Sequence, residues 1–138
     1  MEKTVLITGG SRGIGAACVE AFAAAGCRVV FSYLHSGEQA AALCARWEGR
    51  VMAVQADVAD RDQVTALFRQ TEQAFGPVEV LVNNAGIAQQ KLFTDITPAE
   101  WRRMLAVHLD GPFYCCQAAL PAMIRAKWGR IINISSMW

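Results

Sequence analysis

Thr8-Gly9-Gly10-Ser11-Arg12-Gly13-Ile14-Gly15 is the stretch on which the reading of this chain turns. An apolar run, Val5-Leu6-Ile7, leads into it. A segment of helical period leads out, with Ile14, Ala17, Cys18, Ala21, Phe22 and Ala25 recurring at the spacing of one helix face. A strand, a glycine turn and a helix in that order suit an anion such as a pyrophosphate. Backbone N–H groups at a helix N-terminus point toward it, and glycines keep side chains out of its way. Gly9 permits the tight turn, Gly13 lets backbone approach phosphate, and Gly15 lets the helix close on the sheet. The spacing is G-x-x-x-G-x-G, not the commoner G-x-G-x-x-G. The turn gains its weight from standing after a strand, before a helix, and at the head of an alternating chain.

That alternation runs outward from the turn. Val29-Val30-Phe31, Val51-Met52-Ala53-Val54, Val80-Leu81-Val82 and Ile131-Ile132 read as further buried strands. Helical stripes lie between them: Ala40, Leu43, Cys44 and Trp47; then Val64, Leu67, Phe68 and Phe75; then Trp101, Met104, Leu105 and His108; then Phe113, Cys116, Gln117, Leu120 and Ile124. Gly26, Gly49, Gly76 and Gly129 stand where helices should stop. Thr97, Pro98 and Glu100 read as a helix start, with a cap, a proline in the first turn and an acid at the third position. Pro121 should kink or break its helix. Strands alternating with helices predict an α/β fold: a doubly wound parallel sheet in three α/β/α layers.

The 138 residues suit one domain, 1–138. A composition 54% hydrophobic and 18% charged excludes disorder. A net charge of +1 gives no field for nucleic acid or an anionic membrane, so neither is expected as a partner. Five cysteines (Cys18, Cys27, Cys44, Cys115, Cys116) form no C-x-x-C, fit neither a zinc site nor a disulfide framework, and read as small buried thiols in a reducing cytosol. No metal is expected. The lead-in Met1-Glu2-Lys3-Thr4 is too short for a signal peptide, and no apolar stretch is long enough to span a bilayer. A cytoplasmic location is therefore expected.

Three motifs fall in order at strand ends: T-G-x-x-x-G-x-G from Thr8, Asp57-Val58 after the third strand, and Asn83-Asn84-Ala85-Gly86 after the fourth. Together they resemble the short-chain dehydrogenase/reductase family, and the likeness runs from about Thr4 to Ser136. The resemblance implies a Rossmann-like domain binding a nicotinamide dinucleotide, with Gly9, Ser11, Arg12, Gly13, Ile14 and Gly15 around the pyrophosphate. It implies Asp57 as the adenine-binding acid with the Val58 N–H beside it, and Asn84, Ala85 and Gly86 along the ribose and nicotinamide side. For Asp57 the alternative is a helix cap, for which Asp60 is the better candidate. Asn83 can equally tie neighbouring strands. NAD-preferring sites carry an acid at the end of the second strand. Here Phe31-Ser32-Tyr33-Leu34-His35-Ser36 has none. Arg12 offers a guanidinium fork for a 2′-phosphate, and His35 or Ser36 a further hydrogen bond, so NADP(H) is the expected cofactor.

The resemblance also implies carbonyl reduction, nearest in look to the 3-oxoacyl-(acyl-carrier-protein) reductases. The substrate would be a small-molecule or carrier-bound carbonyl such as a 3-oxoacyl thioester, and full-length relatives would form homotetramers through helices spanning roughly 97–127. By register on Gly129-Arg130-Ile131-Ile132-Asn133-Ile134-Ser135-Ser136, Ser136 is the catalytic serine. His108 stands where the family has a relay asparagine. That is a departure, and the alternative is a core histidine on the face of Trp101, Met104 and Leu105. The family's Tyr-x-x-x-Lys does not match Tyr33 or Tyr114, which are followed four residues on by Gly37 and Ala118. The motif is expected after Ser136, and the chain ends at Trp138. The expectation is therefore a domain truncated after its fifth strand and inactive by itself. Two alternatives are a non-catalytic nucleotide-binding module and a half completed by another chain.

Overall fold

Five apolar runs become the strands of one parallel sheet in the computed structural model, which describes residues 2–136. The expectation about the chain end at Trp138 lies outside these residues. The strands are β1 (Thr4–Ile7), β2 (Arg28–Tyr33), β3 (Val51–Gln55), β4 (Val80–Asn83) and β5 (Arg130–Asn133). The helices are α1 (Gly13–Ala24), α2 (Gly37–Arg46), α3 (Arg61–Phe75), α4 (Pro98–Leu105) and α5 (Gly111–Ala126), with a π turn, Ala106–Asp110, joining the last two. Sheet order is β3-β2-β1-β4-β5. The chain winds outward from β1 to β3, then returns past β1 to lay down β4 and β5. That reversal opens a crevice at the carboxyl ends of β1 and β4.

The pleat sorts side chains between the two faces. Leu6, Val30 and Leu81 meet Val64, Leu67 and Phe68 of α3 and Cys115, Ala119 and Met123 of α5. Val5, Ile7, Val29, Phe31, Val80 and Val82 meet Val19 and Ala23 of α1 and Ala40 and Leu43 of α2. The result is the expected three-layer doubly wound architecture. Among the described residues no helix is long and apolar enough to cross a membrane. All five cysteines are free thiols; Cys27 and Cys115 are buried, and burial pushes Cys115 up to about 12.

Two expected helix faces are rotated, and on the α4 stripe Trp101 and His108 are exposed while Val107 is the buried residue, so His108 is not a core histidine. In α1 the buried positions are Gly15, Val19 and Ala23, while Ile14 is exposed. In α5 the buried row is Gly111, Cys115, Ala119 and Met123, and Phe113, Leu120 and Ile124 face outward. Small side chains let these helices lie close to the sheet, and that contact decides the face. α5 also runs through Pro121 without ending there, although proline removes the N–H that would reach the Gln117 carbonyl. It stops at Lys127, which takes the left-handed conformation (φ 55°), not at Gly129.

The start of α4 is as expected. The Thr97 hydroxyl accepts from the Glu100 N–H at 3.1 Å, and the Glu100 carboxylate accepts from the Thr97 N–H at 2.9 Å. Lys91 donates to both Glu100 oxygens at 2.7 and 2.8 Å. The Lys91 hydrogen bonds first, then the Thr97 backbone and side chain, bring this carboxyl down from 4.5 to about 2. Because the folded value is depressed, this contribution is complete above about 4.5 and is lost as pH falls through about 2. Glu100→Gln should therefore melt below wild type at neutral pH, with the gap closing in acid. A gap unchanged near pH 2 would show that charge is not its source. Thr97→Ala should cost about 1 kcal/mol throughout.

Candidate dinucleotide site

A cavity of about 410 Å³ occupies the crevice, within the size range of small-molecule sites. The segments after β1, β2, β3 and β4 all contribute to its wall, and α4 adds Arg103. Short polar side chains lace these strand ends together. The Thr8 hydroxyl, 2% exposed, accepts from the Asn84 and Ala85 N–H groups, both at 3.0 Å. The Ser32 hydroxyl, 1% exposed, accepts from the Gly9 N–H at 3.1 Å, and its carbonyl accepts from the Gly10 N–H at 2.9 Å. The Asn84 amide donates to the Gly9 carbonyl at 2.9 Å. These buried polar groups thereby find partners, and the glycine turn is held from the β2 and β4 sides.

The turn fits an anion. α1 begins at Arg12 with no side-chain cap and no acid in its first turn. α3 and α4, by contrast, are capped by Asp60 and Thr97, and α2 carries Glu38 in its first turn. The positive end of α1 is thus left for an anion from outside the chain. Gly13 has φ +58° and open space where a Cβ would stand. A Cβ on Gly15 would lie 2.1 Å from the Gly9 carbonyl oxygen and 2.6 Å from Asn84 Nδ2, so only glycine lets α1 approach the turn.

Nine of the expected cofactor residues line the cavity: Gly9, Ser11, Arg12, Gly13, Asp57, Val58, Asn84, Ala85 and Gly86. Gly15 is buried behind the turn, and the Ile14 side chain is exposed outside the wall. Ser32 to Ser36 complete the β2 side with no carboxylate among them. Asp57 is the one acid in the lining, and it is engaged. Its Oδ1 accepts from the Ala59 N–H at 2.9 Å, and its Oδ2 pairs with Arg103 Nη1 at 3.0 Å. Asp60, not Asp57, caps α3, accepting from the N–H groups of Asp62 and Gln63. Asn83 ties strands, donating to Asn133 Oδ1 at 2.9 Å.

Neither expected catalytic residue lines this cavity. His108 lies in the π turn with Nε2 at 2.9 Å from the Ile87 carbonyl oxygen and 3.1 Å from the Ile87 nitrogen. A single ring nitrogen serves one of these partners at a time, and the tautomer decides which. The ring stands against Gly86, where a Cβ would come within 2.8 Å of Cε1. His108 thus holds the loop at Gly86 and Ile87, both of which form the cavity wall. Ser136 lies exposed, three residues beyond β5. Three contributors were not singled out from sequence: Thr8 and Ser32 as organisers, and Arg103. For Ser32 a signal was present, since one hydroxyl interrupts the apolar and aromatic run that follows Arg28. Arg103, one of two adjacent arginines on α4, carries no signal in the sequence that sets it apart.

A short chain dehydrogenase family model matches residues 3–138. The 3-oxoacyl-(acyl-carrier-protein) reductase of Staphylococcus aureus is 39% identical over 99% of this chain and 57% of that protein. The acetoacetyl-CoA reductase of Paracoccus denitrificans is 40% identical over 99% of this chain and 56% of its own length. The chain therefore spans somewhat more than half of the curated relatives it matches. A short-chain dehydrogenase from Streptomyces avermitilis superposes with a TM-score of 0.92 at 36% identity, over 98% of this chain and 49% of that one. A metagenomic blue fluorescent protein in complex with NADPH superposes with a TM-score of 0.88 at 40% identity, over 98% and 56%.

Proposed function

Because this chain belongs to the short-chain dehydrogenase family, we propose that its cavity holds NADP(H) in an oxidoreductase that reduces a ketone such as a 3-oxoacyl thioester. The observation that carries this reading is the uncapped N-terminus of α1, opening on a cavity whose β2 wall has no carboxylate. The α1 N-terminus and the glycine turn would hold the pyrophosphate. Arg12, His35 and Ser36 would meet the 2′-phosphate, and Asp57 with the Val58 N–H would meet the adenine. Asn84, Ala85 and Gly86 would line the ribose and nicotinamide side. The bound dinucleotide would supply the hydride.

Ser136 is proposed to hold the carbonyl oxygen. His108 is proposed to replace the relay asparagine, fixing Ile87 through Nε2 and leaving Nδ1 for proton transfer. Neither tyrosine suits the proton donor. Tyr33 belongs to the β2 wall of the cavity, and Tyr114 of α5 packs beside its neighbour Phe113 and Arg61 of α3. Those positions favour a second reading, in which these residues by themselves bind the dinucleotide without turnover. Exposed Trp101, Leu109, Phe113, Leu120 and Ile124 suit self-association, in keeping with a homotetramer.

Calorimetric titration of the 138-residue chain tests the reading. NADPH should bind about tenfold or more tighter than NADH, as charge-assisted hydrogen bonds to a 2′-phosphate warrant. If neither binds, the dinucleotide reading fails. Equal affinities would retain the site and overturn the NADP assignment. Oxidation of NADPH by this chain with acetoacetyl-CoA would exclude the second reading.

A further inference from the structure

Arg103, which none of the proposed cofactor contacts uses, forms an ion pair with Asp57. Arg103 comes from α4 and Asp57 from the loop after β3, so the pair joins segments 46 residues apart in sequence across the cavity wall. The side chains are 23% and 41% exposed, and a pair so open to water adds little to the fold. What it fixes is direction. With Ala59 N–H on Oδ1 at 2.9 Å and Arg103 Nη1 on Oδ2 at 3.0 Å, both Asp57 oxygens are engaged, which restrains the carboxylate's rotation. Each oxygen keeps a second lone pair. A carboxylate so held is ready to accept from an exocyclic amine without first being ordered.

We infer that Arg103 is a positioning residue for the adenine end of the dinucleotide, holding Asp57 so that its carboxylate accepts from the adenine amino group. The inference rests on the dinucleotide reading above. The contact is a single one, Nη1 to Oδ2, and a planar guanidinium aims that N–H along a fixed direction, which a freely rotating ammonium does not.

The test compares NADPH with its hypoxanthine analogue, deamino-NADPH, which has the same phosphates but no amino group for Asp57. Binding of both to wild type, Arg103→Met and Arg103→Lys is measured by calorimetry, with melting temperatures alongside. Arg103→Met should weaken NADPH about tenfold, the worth of one oriented charge-assisted hydrogen bond. It should leave deamino-NADPH within about twofold of its wild-type affinity, since the lost interaction is already missing there. Arg103→Lys should fall between wild type and Arg103→Met, and the melting temperatures should stay close to wild type. Equal weakening of both ligands would show Arg103 acting through charge on the phosphates and would overturn the inference. So would unchanged or tighter NADPH binding by Arg103→Met. Failure of wild type to bind NADPH would instead bring down the dinucleotide reading, and this inference with it.

Discussion

Gly15→Ala is expected to weaken dinucleotide binding about a hundredfold or more and to lower the melting temperature. Helix propensity alone points the other way, since alanine gains about 1 kcal/mol over glycine inside a helix. Contact geometry decides against it. The new methyl would stand 2.1 Å from the Gly9 carbonyl oxygen, 2.6 Å from Asn84 Nδ2 and 2.9 Å from Gly10 Cα. Two of those atoms are backbone, so no side-chain rotation relieves the clash. Overpacking of this kind costs roughly 1–3 kcal/mol. Relief requires α1 to move off the turn or the bond from Asn84 to Gly9 to break. Either change disorders the proposed phosphate cradle, and losing two charge-assisted hydrogen bonds there would weaken binding by about a hundredfold or more. Gly13→Ala is the control. Its Cβ meets nothing, and the left-handed backbone costs about 1–2 kcal/mol, so the fold should survive while phosphate approach suffers. Wild-type affinity in folded Gly15→Ala would show that close helix approach does not build this site.

The strand pattern and the glycine turn were legible because their signals are local. An apolar run and a turn composition specify themselves. The faces of α2 and α3 were legible too, because Ala40 and Leu43 in the one, and Val64, Leu67 and Phe68 in the other, stand opposite charged residues. α1 and α5 lack that contrast. They are apolar or small nearly all round, so periodicity offers several faces, and sheet contact selects Gly15-Val19-Ala23 and Gly111-Cys115-Ala119-Met123. Choosing among such faces needs the tertiary distances. The site divides in the same way. Gly9 to Gly15, Asp57 and Asn84 to Gly86 sit in motifs readable along the chain. Ser32 and Arg103 act through partners far away in sequence, and only folding brings those together. His108 could be noticed as a departure, but its bond to Ile87 depends on the π turn, which no residue pattern announced.

Tyr33→Asp is expected to invert cofactor preference. Tyr33 ends β2 and forms part of the cavity wall, on the side where Arg12, His35 and Ser36 also stand. A carboxylate there would face the 2′-phosphate of NADPH. Two like charges about 5 Å apart near a protein surface repel by roughly 3 kcal/mol, so NADPH affinity should fall about a hundredfold. The same carboxylate can accept from the 2′- and 3′-hydroxyls of NADH, whose affinity should hold or rise. The Tyr33 ring packs partly against the α1–α2 face of the sheet, so some loss of stability accompanies any truncation there. Tyr33→Asn separates the two effects. It removes the same ring and adds no charge, so it should share the stability loss and keep the NADPH preference. The ratio of NADPH to NADH affinity in the Asp variant, divided by that in the Asn variant, then isolates the charge. A quotient near one would mean that the 2′-phosphate does not approach β2, and the assignment of Arg12, His35 and Ser36 to it would fall.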